Sequence, residues 1–197
     1  MAVLTRPNTD KPNHYDSNPA KDDNMADMLK KPWQEQVYDL LKAANIKFFT
    51  YVPDGGHKQL IIRCNEDPDV TAVPLTIETE GVAFAAGAHL GGKRSVLLQQ
   101  GSGVGNCINM LSLIDNGRFP FLTLVTMRGD FGEGNPWQMA MGNAVQPALE
   151  AMKVRCLRAE TEADVVPVVD AAIKMAFGAE IAVAVLLSQR LLGAKAF

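Results

Sequence analysis

The sequence predicts an α/β protein, a three-layer sandwich with a mostly parallel six-stranded sheet and helices on both faces. Three observations carry that prediction. Short β-branched or aliphatic runs alternate with stretches of helical period. Most of the strand-like runs stay apolar throughout, as strands covered on both faces do. Glycine, proline and aspartate cluster at the junctions between them. With 197 residues, 47% of them hydrophobic, the chain is long enough for one core of ordinary size.

Residues 1–31 hold Pro7, Pro12 and Pro19 among Asn, Asp, Lys and Ser with hardly any apolar periodicity, and read as a polar tail, disordered or docked on a partner. The folded domain is expected over residues 32–197. Pro32 opens a helix whose face is marked by Val37, Leu40, Leu41 and Ala44. Ile46 to Val52 reads as a strand, Pro53-Asp54-Gly55-Gly56 as a turn, and Leu60, Ile61 and Ile62 as a second helix. Thr71 to Ile77 is a strand running into Glu78, and Thr79 to Leu90 is a helix of mostly Ala, Gly and Val on its apolar side. Ser95 to Gln100 is the next strand, and the glycine loop Gly101 to Asn106 turns it into a helix running through Leu113. Phe119 to Met127 is a long buried strand, followed by a polar loop from Arg128 to Asn135 and a helix from about Pro136 to Met152. Val154 to Arg158 is a short strand. Thr161 and Asp164 have the spacing of a capping box and open a helix carrying Val165, Val169, Ala172 and Ile173, before a last strand from Ile181 to Ser188.

Composition narrows the function classes. The net charge is −3 and no Lys/Arg run exceeds two residues, which argues against nucleic-acid and anionic-membrane partners. The longest apolar run, Ile181 to Leu187, is too short to span a bilayer, and no apolar signal segment stands at the N-terminus. Cys64, Cys107 and Cys156 are odd in number and widely spaced, which argues for a reducing, cytoplasmic setting and against a disulfide scaffold or a Cys metal site.

In a parallel α/β sheet ligands bind at the carboxyl ends of the strands, and the polar residues of interest fall there: Asp54, Glu78, Gly101 to Asn106, and the loop from Arg128. Each has a plain reading beside the functional one. Glu78 and Glu80 both suit the positive end of a helix dipole, Asp54 before glycine suits a turn, and GSGVG is not the dinucleotide pattern. The glycines at 129, 132 and 134 suit either a solvated loop or a lid that closes over a bound acid. His57 and Lys58 after a turn are equally ordinary solvated residues.

Glu78, Gly87 nine residues later, the strand VLLQ and the segment GSGVGN together resemble the pyrimidine-binding domain of thiamine-diphosphate enzymes. More narrowly, EGVAFAAGAHLGGK followed by QQGSGVGNCINMLSL resembles the α subunits of sulfopyruvate decarboxylase and the matching half of phosphonopyruvate decarboxylases, over about Trp33 to Leu192. The resemblance implies the thiamine-diphosphate-binding fold and a decarboxylase acting on an anionic 3-substituted pyruvate to give an aldehyde and CO₂. It implies that Glu78 bonds the cofactor's aminopyrimidine and that Asp54 faces the reacting carbon. It places Gln100, Gly101, Ser102, Gly103 and Asn106 near the cofactor and Arg128 and Gln138 in position for the substrate, whose anionic group His57 is a further candidate to meet. The family holds the diphosphate through Mg²⁺ at a GDG segment in a second domain, and this chain has no GDG. The chain is therefore expected to supply no metal ligand and half of a site, with Mg²⁺ held mainly by a diphosphate-binding β subunit in a hetero-oligomer. The Ala-Gly helix and the helix at Met110 are the expected contact surface. A carboligating synthase subunit, or a non-catalytic ligand-binding module of the same fold, would share these residues.

Overall fold

The computed structural model describes residues 31–194, so all but the last residue of the expected tail lies outside the described residues. Its elements run α1 (Trp33–Ala43), β1 (Ile46–Tyr51), a 3₁₀ turn (Gly55–His57), α2 (Lys58–Glu66), β2 (Thr71–Pro74), α3 (Glu78–Leu90), β3 (Arg94–Gln100) and α4 (Gly101–Cys107). They continue with α5 (Leu111–Gly117), β4 (Phe121–Thr126), α6 (Trp137–Ala151), β5 (Arg155–Ala159), α7 (Glu162–Gly178), β6 (Ala182–Leu187) and α8 (Gln189–Leu192). All six strands are parallel, in the order β2-β1-β3-β4-β6-β5. Among the described residues no helix is long and apolar enough to cross a membrane.

The apolar runs become strands because both faces are covered. Along β3, Val96 and Leu98 enter one core with α1, α2 and α7, whereas Leu97 points to the other, beneath α3 to α6. Strand β4 divides in the same way, Leu122 and Leu124 against Phe121 and Val125. The Thr161 capping box is present, with Asp164 Oδ2 accepting from the Thr161 N–H at 2.8 Å.

Two departures from the sequence reading matter for function. The glycine segment is no loop: β3 passes directly into α4, whose first residue is Gly101, and α5 follows as a separate helix. Those glycines serve close approach instead. A Cβ on Gly101 would stand 3.3 Å from Val145 Cγ2, and one on Gly103 would overlap the Glu78 carboxyl. The second departure is α8, a turn of helix directly after the last strand.

The chain leaves β1 toward β2 on one side and leaves β3 toward β4 on the other. This reversal opens a crevice outside the carboxyl ends of β1 and β3, the usual ligand position in such sheets.

Candidate active site

A cleft of about 400 Å³ occupies that crevice, lined by Asp54, Gly56, Gln100, Thr126, Arg128 and Gln189, with Trp33 and Leu192 among its apolar walls. Asp54 follows β1 and caps the 3₁₀ turn, its Oδ2 accepting from the Gly56 N–H at 3.0 Å. The same oxygen accepts from Thr126 Oγ1 at 2.7 Å, and Oδ1 accepts from Gln100 Nε2 at 2.9 Å. Ser102 Oγ donates to Gln100 Oε1 at 2.9 Å, so the Gln100 amide is oriented with its NH₂ toward Asp54. Gly56 is a close-approach glycine, since a Cβ there would lie 2.6 Å from Thr126 Cγ2.

Burial raises the Asp54 pKa, but the Thr126 hydroxyl, the His57 ring and the Gln100 and Gly56 bonds outweigh it and hold the carboxyl below its ordinary value. Asp54 is therefore an anion at neutral pH. His57 is 1% exposed and does not line the cleft. Its Nε2–H donates to Leu124 O at 3.0 Å and Gln99 O at 3.3 Å, pinning the 3₁₀ turn to the ends of β3 and β4. Burial lowers its pKa, against Asp54 and the two carbonyls, so the ring is neutral at pH 7. A neutral ring committed to two carbonyls has neither the charge nor the access to meet an anionic substrate. At neutral pH, where the ring is uncharged, the hydrogen bonds from Thr126, Gln100 and Gly56 hold the Asp54 anion.

Glu78 opens α3 after β2 and is 8% exposed. Its Oε2 accepts from Asn106 Nδ2 at 2.9 Å, while its Oε1 has no hydrogen-bond partner among the described residues. The carboxyl lies against α4 because Gly103 has no side chain there. Thr79 Oγ1 donates to Asn106 O and ties the two helices together. Glu80 serves the helix start instead, where its Oε2 accepts from the Thr76 N–H at 2.9 Å. Cys107 lies behind Glu78, its thiol pushed up to about 12 by burial and then by the Glu78 charge.

Two clusters therefore share α4. Its N-cap residue Gln100 serves the cleft, with Ser102 behind, and Gly103 and Asn106 serve Glu78. Asp54, Gln100 and Arg128 line the cleft, but Glu78 and Asn106 stand outside its lining, as does Gln138 in the first turn of α6.

The loop from Arg128 is tied down rather than loose. Arg128 donates through Nε and Nη2 to the two oxygens of Glu133 at 2.5 and 2.7 Å. Glu133 also accepts from the Asn135 N–H at 2.9 Å and from Gln189 Nε2 at 2.9 Å. Gln189, fully buried in α8, accepts from the Gly129 N–H at 2.9 Å, and Asp130 accepts from the Gln189 N–H at 3.1 Å and from Arg158. Of the residues that build the site, Thr126, Glu133 and Gln189 went unread in the sequence. A lone Thr closing an apolar strand and a Gln just beyond another were the available signals.

The donor set fits the pyrimidine end of thiamine diphosphate: a carboxyl with one oxygen engaged and one open, on a helix start beside a glycine face. No protein-family model matches the chain. The α subunit of sulfopyruvate decarboxylase from Methanococcus maripaludis is 32% identical over 154 residues, covering 78% of this chain and 92% of that protein. The α subunit from Methanocaldococcus jannaschii is 35% identical over 64% of this chain and 75% of that protein. A phosphonopyruvate decarboxylase from Streptomyces viridochromogenes is 39% identical over 46% of this chain and 23% of that protein. Among solved structures, the 2-oxoglutarate:ferredoxin oxidoreductase of Magnetococcus marinus superposes with a TM-score of 0.66 at 17% identity, over 80% of this chain and 29% of that one, a likeness of fold. On the identity to the α subunits and the share of them that it covers, this chain belongs to the sulfopyruvate decarboxylase α-subunit family.

Proposed function

We propose that the chain is the α subunit of a thiamine-diphosphate-dependent carboxy-lyase whose substrate is an anionic 3-substituted pyruvate, sulfopyruvate first and phosphonopyruvate second. The observation that carries this reading is the seat of Glu78, where Asn106 fixes one carboxylate oxygen and Gly103 leaves room against α4. Glu78 would hold the cofactor's aminopyrimidine through its open oxygen and exchange a proton with the ring nitrogen. When bound, thiamine diphosphate supplies the nucleophilic carbon and the electron sink that loss of CO₂ from a 2-oxo acid needs.

This chain's own residues do the rest from the strand ends. Asp54, an anion held by Thr126 and Gln100, stands where it disfavours a neighbouring substrate carboxylate and so favours its departure as neutral CO₂. The apolar side chains Trp33, Leu191 and Leu192 narrow access of water to the cleft. With relatives named as α subunits, Mg²⁺ and the diphosphate are assigned mainly to a diphosphate-binding partner subunit. The free cysteines favour a cytoplasmic setting.

The test is CO₂ release by the native complex, purified through a tag on this chain, with sulfopyruvate, phosphonopyruvate and pyruvate as substrates and thiamine diphosphate and Mg²⁺ present. Release from the two anionic acids is expected. A complex that releases CO₂ from no 2-oxo acid would falsify the reading.

A further inference from the structure

The cleft has one basic residue in its lining, Arg128, and that residue is held in an unusual way. Glu133 takes the Nε and Nη2 edge of the guanidinium as a fork. A guanidinium carries five N–H groups, so three remain, both on Nη1 and one on Nη2. The Glu133 side chain is 2% exposed and cannot swing away, because the Asn135 N–H and Gln189 Nε2 fix its oxygens from behind. Gln189 is itself fixed by the Gly129 N–H and by Asp130. The cleft thus holds a fixed cation and, in Asp54, a fixed anion.

We propose that Arg128 is the specificity residue for the anionic group on C3 of the substrate, and that Glu133 and Gln189 are the positioning residues that present its free edge to the cleft. The inference rests on the function proposed above and deepens it. Chemistry assigns the two anionic ends of the substrate to different residues of the cleft. The C3 substituent keeps its charge from substrate to product, so a fixed cation can hold it throughout. The C1 carboxylate must lose its charge as CO₂, so a cation there would oppose the reaction, whereas the Asp54 anion does not. The planar outer edge of a locked guanidinium also matches two oxygens of a sulfonate or phosphonate, which a lysine ammonium does not.

The test uses the native complex, measuring KM and kcat for sulfopyruvate and the inhibition constant of pyruvate as a competing 2-oxo acid that lacks the C3 charge. Arg128→Met is expected to raise the sulfopyruvate KM about 100-fold while moving the pyruvate constant less than about threefold. Glu133→Gln, which keeps one contact and loses the fork, is expected to raise that KM about 10-fold with kcat nearly unchanged. Where the Met variant fails to assemble, Arg128→Lys takes its place, with a smaller rise in the same constant. An Arg128 variant with the wild-type sulfopyruvate KM overturns the assignment, as does one in which both constants rise together. A wild-type complex inactive on every 2-oxo acid overturns the functional reading instead, and this inference with it.

Discussion

At the scale of single residues the site depends on what two glycines permit and what one carboxyl leaves open. Glu78→Gln keeps the shape and the Asn106 contact but removes the exchangeable proton, so kcat is expected to fall about 100-fold to 10,000-fold with little change in melting temperature. Steady-state assay beside a thermal melt checks both halves. Gly103→Ala places a methyl where the Glu78 carboxyl lies, and is expected to cost about 1–3 kcal/mol and to depress activity with it. Carboxylates also set the acid limit of the fold. The bidentate Arg128 contact takes the Glu133 carboxyl from its ordinary 4.5 down to about 2, so ionised Glu133 stabilises the fold above its unfolded pKa, and that contribution is lost as pH falls toward 2. Asp54 contributes in the same direction. Thermal melts between about pH 6 and pH 3 should therefore show a steep acid loss that Glu133→Gln flattens. The place of Glu78 at a helix start was legible in the sequence, because carboxylates after a β-branched run suit the positive end of a helix dipole. His57 was not, because only the fold shows its ring buried between the carbonyls of β3 and β4.

At the scale of elements the strands were easier to read than the connections. A run such as Phe121–Thr126 is buried on both faces, and its composition says so. Residues Gly101 to Asn106 read as a loop by glycine content, yet Gly101–Cys107 form a helix because tertiary contacts with Glu78, Val145 and Thr126 override propensity. The polar loop from Arg128 was open to two readings in the sequence. Its three glycines suited either a solvated loop or a closing lid, and its anchor is Gln189, nearly sixty residues away in sequence, a pairing that no local pattern reveals. Gly129 has φ +81 and packs against the Gln138 carbonyl, so its glycine answers backbone geometry. Gln189→Ala is expected to cost about 1–3 kcal/mol, since it takes the acceptor from the part-buried Gly129 and Phe131 N–H groups and one of two donors from Glu133 Oε2, and to speed amide exchange in residues 129–135 above that of the rest of the chain. Unchanged exchange in that loop would contradict its anchoring by α8.

At the scale of the whole molecule the side of the sheet that carries α3, α4 and α6 exposes more apolar surface than an isolated chain needs. Trp137 is 84% exposed and Leu90 75%, and the outward positions of α3 include Ala83 and Gly87, with open space above Gly87. The Ala-Gly helix expected from the sequence as a contact surface is thus exposed along that stripe. Trp137→Glu and Leu90→Glu are expected to lower the amount of partner recovered with the tagged chain while leaving its own melting temperature nearly unchanged, as followed by size-exclusion chromatography. Such a surface and the Glu78 seat fit the proposed reading, in which this chain supplies one half of a shared site. The measurement that tests this most directly is calorimetric titration of thiamine diphosphate with Mg²⁺, first into the chain alone and then into the complex with its partner subunit. Binding in the complex that is absent from the chain alone, and weakened by Glu78→Gln, is the predicted result. Equal binding by the isolated chain, or none in either sample, would contradict it.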